Sequence, residues 1–134
     1  MIRQGFLFVH TFATMIYMDP IIFSLAQTLN LPSKTEELDM FTTSYDVIAI
    51  FDRYLPLAEY ILDEYACPND EVSMHVEESI YMTMMGSIAN FRRSKKYETK
   101  VPFSQLLAAM IYSFMEEYEQ EGKVYKISKS VIAS

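Results

Sequence analysis

Residues 102–121 read PFSQLLAAMIYSFMEEYEQE, and the spacing of their apolar side chains decides the fold. Phe103, Leu106, Leu107, Met110, Ile111, Phe114 and Tyr118 fall at i, i+3, i+4, i+7, i+8, i+11 and i+15. That period coats one flank of an α-helix and nothing else. Pro102 suits the first helical position, and Gly122 the residue just past the last turn.

Upstream, the same period predicts a helix over 71–91. Its stripe is Val72, Val76, Ile80, Met84, Ile88 and Phe91, with Asp70 as N-cap. From Ile80 onward Tyr81, Met82, Met85 and Ala89 make it apolar nearly all round, so its second half is expected to run into the core. Residues 44–66 read as two shorter helices. Val47, Ile50, Phe51 and Tyr54 line the first, Leu57, Ile61, Leu62 and Tyr65 the second, with Pro56 as the break. The short connection 67–70 makes the helices on either side antiparallel neighbours.

Nearer the N-terminus, Asp19-Pro20 opens a helix that Leu31-Pro32 ends, and Ser33-Lys34-Thr35-Glu36 reads as a capping box. Residues 37–43 are ambiguous between helix and break. Phe6 to Met18 is apolar, follows Arg3 and lacks a small-x-small cleavage site. It falls short of the about 20 residues that span a bilayer and reads as a buried helix. Lys123 to Ser128 alternates weakly, as a tail or short ribbon. The expected architecture is therefore all-α: a single-domain bundle of five to six helices over residues 1–134, with at most a short C-terminal ribbon.

The composition excludes several classes. Hydrophobic residues are 51% of the 134 and charged residues 22%, which argues against disorder. A lone Cys67 forms no internal disulfide and no Cys-rich zinc site, which points to a reducing, cytoplasmic setting. A net charge of -7 speaks against general nucleic-acid binding and against docking on anionic membranes. The chain carries no glycine-rich phosphate loop, no G-x-S-x-G elbow, no H-E-x-x-H and no paired Glu-x-x-His.

Two charged constellations stand out. Glu71, His75 and Glu78 share a helix face, and a hairpin at 67–70 would bring Glu59 and Asp63 level with them. Four carboxylates and an imidazole of this kind suit Mg²⁺ or Mn²⁺ holding a phosphate-bearing substrate; otherwise they are the solvated sides of two amphipathic helices. In the second, Arg92, Arg93, Lys95, Lys96 and Lys100 surround Tyr97 in an expected exposed loop. Glu116, Glu117, Glu119 and Glu121 form an acidic patch in the last turns of the 102–121 helix, where the backbone dipole disfavours anions. Loop and patch are expected to meet each other within the chain or across a dimer, or to be held for a partner. Basic side chains beside Tyr97 also offer a weak grip on a nucleic-acid strand.

Ten Met and ten Tyr add more apolar helix surface than short helices easily hide. A homodimer or a tight protein partner is expected to cover the excess. The leading expectation is a non-enzymatic interaction module, without cofactor, that binds and regulates, inhibits or adapts a larger protein. The alternative is a divalent-metal phosphohydrolase using Glu59, Asp63, Glu71, His75 and Glu78 as ligands.

Overall fold

Three long helices carry the body, and the 102–121 stretch is the one most surrounded. The computed structural model describes residues 20–43, 46–98 and 101–127, with side chains from Ser24 on. The order is α1 (Pro20–Thr28), α2 (Lys34–Thr42), α3 (Val47–Leu62), β1 (Tyr65–Ala66), α4 (Asp70–Arg93), a 3-10 turn (Lys96–Glu98), α5 (Phe103–Gln120) and β2 (Tyr125–Lys126). Five helices and one two-residue ribbon make an all-α fold, as the periodicity predicts. The reading of Phe6 to Met18 as helix lies outside the described residues.

α5 packs against α1, α3 and α4. Phe103, Leu107, Ile111 and Met115 are buried on its core side, and Ser104, Gln105, Ala108, Ala109 and Ser113 are buried with them. Small side chains on that second flank let neighbouring backbone approach, so the helix is enclosed more widely than its apolar stripe alone requires. Each large apolar side chain so buried is worth roughly 1.5–3 kcal/mol against exposure. The helix ends in a Schellman motif: Gly122 has φ 76°, and the amide of Lys123 donates to Tyr118 O at 2.9 Å. α1 ends the same way on Asn30, at φ 55°, with the amide of Leu31 donating to Ala26 O at 2.8 Å.

α3 corrects the expectation of two helices: it runs unbroken through Pro56. Ile50, Tyr54, Leu57, Ala58 and Ile61 form one continuous buried stripe across the proline. Burial of that whole face outweighs the roughly 3 kcal/mol that an interior proline costs. The ambiguous 37–43 stretch is helical to Thr42, started by the expected capping box: Glu36 N donates to Ser33 Oγ at 3.2 Å and Ser33 N to Glu36 Oε1 at 3.0 Å.

α4 is capped one residue earlier than expected, by Asn69 Oδ1 accepting from Val72 N at 2.9 Å. Its buried stripe is Val76, Ile80, Met84, Ile88 and Phe91. Its second half does not run into the core, however. Met82 stays 68% exposed, because α4 lies on the outside of the bundle and is covered along one side only. The ribbon pairs Tyr65 with Lys126 and Ala66 with Tyr125, antiparallel. It gathers the C-terminal ends of α3 and α5 and the start of α4 at one pole, anchored by buried Tyr65 and Val124. The start of α5, the end of α4 and all of α2 lie toward the other.

Candidate interaction site

α5 begins without a capping side chain of its own: Pro102 occupies the cap position and offers no acceptor. The first amides of a helix need a partner from elsewhere. Glu37 supplies it. This fully buried residue on α2 accepts from Phe103 N at 3.0 Å and Ser104 N at 3.3 Å, and Tyr54 of α3 donates its hydroxyl to the same carboxylate at 2.5 Å. A carboxylate at a helix N-terminus also complements the backbone dipole. Burial nevertheless lifts the Glu37 carboxyl above its usual range, against the pull of those three donors. Burial and the Glu37 charge push the Tyr54 phenol up in turn.

The same helix pins the basic segment. Lys34 Nζ donates to Tyr97 O at 3.1 Å and Val101 O at 3.4 Å, and Arg92 Nη2 to Met40 O at 3.4 Å. Phe41 lies flat against Tyr97, with centroids 6.4 Å apart and planes at 12°, and packs edge-on to Phe91 and Phe103 at 4.8 and 5.5 Å. The expected exposed loop is therefore a helix end and a 3-10 turn held against α2. One face of the Tyr97 ring is already taken. Arg93, Lys95 and Lys96 remain exposed at the surface of this turn. Lys95 sits in the left-handed region at φ 57°, which turns the chain sharply out of α4. Lys100 lies outside the described residues.

Beside this turn a cleft of about 240 Å³ opens between α4 and α5. Phe91, Phe103, Leu106, Leu107 and Met110 give it an apolar lining, and Ser87, Asn90 and Lys96 its polar one. Such a volume falls below the roughly 300–1,000 Å³ of typical small-molecule sites. It is suited to one or two inserted side chains.

The acidic patch lies elsewhere. Glu116 is about 20 Å along α5 from Phe103 at 1.5 Å per residue, so patch and basic turn do not meet within the chain. Glu116, Glu117, Glu119 and Glu121 stand at the ribbon pole, where Lys123 Nζ pairs with Glu121 at 3.1 Å. Lys123 also lies 5.6 Å from the centre of the Tyr118 ring.

The expected convergence of Glu59, Asp63, Glu71, His75 and Glu78 is not what the described residues show. Glu71, His75 and Glu78 are exposed on the outer face of α4, opposite its buried stripe. The face turned toward Glu59 and Asp63 carries Glu77 and Tyr81, whose phenol is raised by burial and then by Glu77, Glu59 and Asp63. Among the described residues no group of three or more His, Cys, Asp or Glu is placed to hold a metal ion.

A second cavity of about 230 Å³ at the ribbon pole is lined by Asp63, Tyr65, Cys67, Ser73 and Glu77 among others. Burial raises the Cys67 thiol above its ordinary 9.0, against a hydrogen bond with Ser73 and with a further push from Glu77. The thiol therefore stays protonated at neutral pH and is a poor nucleophile.

Sequence reasoning passed over Glu37 and Gln105. The missing cap at Pro102 and a carboxylate sharing a helix face with Met40 and Phe41 were the available signals for Glu37. Gln105 resembles any surface glutamine, yet its amide is buried with no hydrogen-bond partner among the described residues on Nε2 or Oε1. Among the described residues no helix is long and apolar enough to cross a membrane. No protein-family model, curated protein or solved structure matches the chain.

Proposed function

We propose that the chain is a non-enzymatic interaction module that docks a segment of a larger protein in the cleft between α4 and α5. The observation that carries this is an open apolar cleft directly beside exposed Arg93, Lys95 and Lys96. The matching ligand is an amphipathic segment whose apolar anchors enter the cleft and whose flanking Asp or Glu side chains meet the basic turn. Burying each anchor contributes roughly 1.5–3 kcal/mol, while the cations set orientation and on-rate. The net charge of -7 does not oppose this. The acidic ribbon pole lies well beyond the screening length of about 8 Å at physiological salt, so the local basic turn dominates.

Affinity capture from the cells of origin tests the proposal, comparing the wild type with Met110→Glu and with the double Lys95→Glu/Lys96→Glu variant. A protein retained by the wild type and lost from both variants, while their helical circular-dichroism spectra stay unchanged, is the expected result. The same proteins retained by all three would exclude the cleft as the docking site.

A further inference from the structure

α4 turns one flank largely outward. Met74 and Met82 are 69% and 68% exposed. Glu71, His75, Glu78, Gly86 and Arg93 are exposed with them, and Met85 and Ala89 are half-buried. At 3.6 residues per turn these positions make one stripe along the helix, centred on Met82.

Three features of the stripe go together. Unbranched, polarisable Met side chains adapt to a facing surface. Gly86 weakens a helix interior, yet a Cβ built on it meets nothing within 4 Å, so no packing among the described residues requires glycine there. The stripe is also acidic at one end and basic at the other: Glu71 stands in the first turn and Arg93 in the last.

We propose that a second copy of this chain covers the stripe, with the two α4 helices antiparallel about a two-fold axis at Met82. Positions equally far before and after Met82 then come level across the interface. Arg93 meets Glu71 of the other copy, Ala89 comes level with His75, and Gly86 with Glu78. Small positions thus oppose large ones, which lets knobs enter holes, and both ends of the interface carry opposite charges. Arg93, whose Nη2 among the described residues reaches the exposed Asn90 Oδ1 at 3.3 Å, gains a carboxylate partner. A parallel pairing would set Glu71 against Glu71 and Arg93 against Arg93, so charge selects the antiparallel one. The interface is isologous and closed. One pair of helices buries little area for a specific interface, so the dimer is weak and concentration-dependent. Apart from Arg93, which borders both, this stripe is a different flank of α4 from the cleft lined by Phe91, Phe103 and Met110. The docking test rests on Met110, Lys95 and Lys96, so failure of the dimer leaves the docking proposal standing.

Sedimentation velocity over a concentration series tests it. The wild type is expected to pass reversibly from monomer to dimer. Met82→Glu, which puts two like charges on the axis, should remain monomeric with an unchanged circular-dichroism spectrum. Arg93→Glu and Glu71→Lys should each weaken the dimer about tenfold, from two lost exposed ion pairs per dimer, and their combination should restore it. A wild type that stays monomeric throughout, a dimer indifferent to Met82→Glu, or charge reversals without mutual rescue would overturn it.

Discussion

Glu37 joins three helices through one carboxylate: it belongs to α2, caps α5 and accepts from Tyr54 of α3. Truncation to alanine would leave buried amides and a buried hydroxyl unpaired. It should cost about 1–3 kcal/mol in a urea titration. Its titration has a definite sign. Burial holds the folded carboxyl above its ordinary 4.5, so protonation is easier in the folded chain than in the unfolded one. The stability Glu37 contributes by this route is fully present below about pH 4.5 and lost as pH rises through its folded value. Measured against Glu37→Gln, the wild type should therefore lose relative stability from about pH 4.5 upward. A relative gain over that range would show that the carboxylate's three hydrogen bonds outweigh its burial.

At the scale of elements, α3 shows how packing overrides a local breaker. Pro56 has no amide to donate to the carbonyl of Asp52, yet the buried stripe from Ile50 to Ile61 keeps one axis. Pro56→Ala should restore that bond and raise stability by about 1–3 kcal/mol. Urea unfolding at unchanged slope checks it, and a lower midpoint would mean that the ring's packing matters more. The same competition explains what was legible in the sequence. The buried face of α4 follows from periodicity, and so do Phe103, Leu107 and Ile111 on α5. Leu106, Met110, Phe114 and Tyr118 of the expected stripe are instead half-buried, and Ser104, Gln105, Ala108, Ala109 and Ser113 are buried outside it. The caps at Ser33 and Gly122 follow from residue type. Pro56 misled because its local penalty is visible in the sequence whereas the gain of a continuous stripe is collective. The acidic cluster misled for a geometric reason. Matching levels across the hairpin locates Glu59 and Asp63 along α4, but rotation about its axis decides whether Glu77 or Glu78 faces them. The cleft was legible only as a neighbourhood: Arg92, Arg93, Lys95 and Lys96 marked the turn, while Phe91, Phe103 and Met110 read as ordinary core.

Over the whole molecule, charge and packing divide between two poles. At the ribbon pole four glutamates end α5, and short strands tie α3 to its C-terminal end. At the other, α2 clamps the junction of α4 and α5 through Lys34, the Met40 carbonyl, Phe41 and Glu37. The cleft and the basic turn owe their shape to that clamp, because Phe91 and Phe103 line the one and Tyr97 anchors the other. Hydrogen exchange read amide by amide tests this most directly. First-turn amides of a helix ordinarily exchange fast, having no partner in their own helix. Here those of Phe103 and Ser104 should be protected like the centre of α5, and should become fast in Glu37→Ala while Ile111 remains slow. Fast exchange of both amides in the wild type would contradict the clamp and the site built on it.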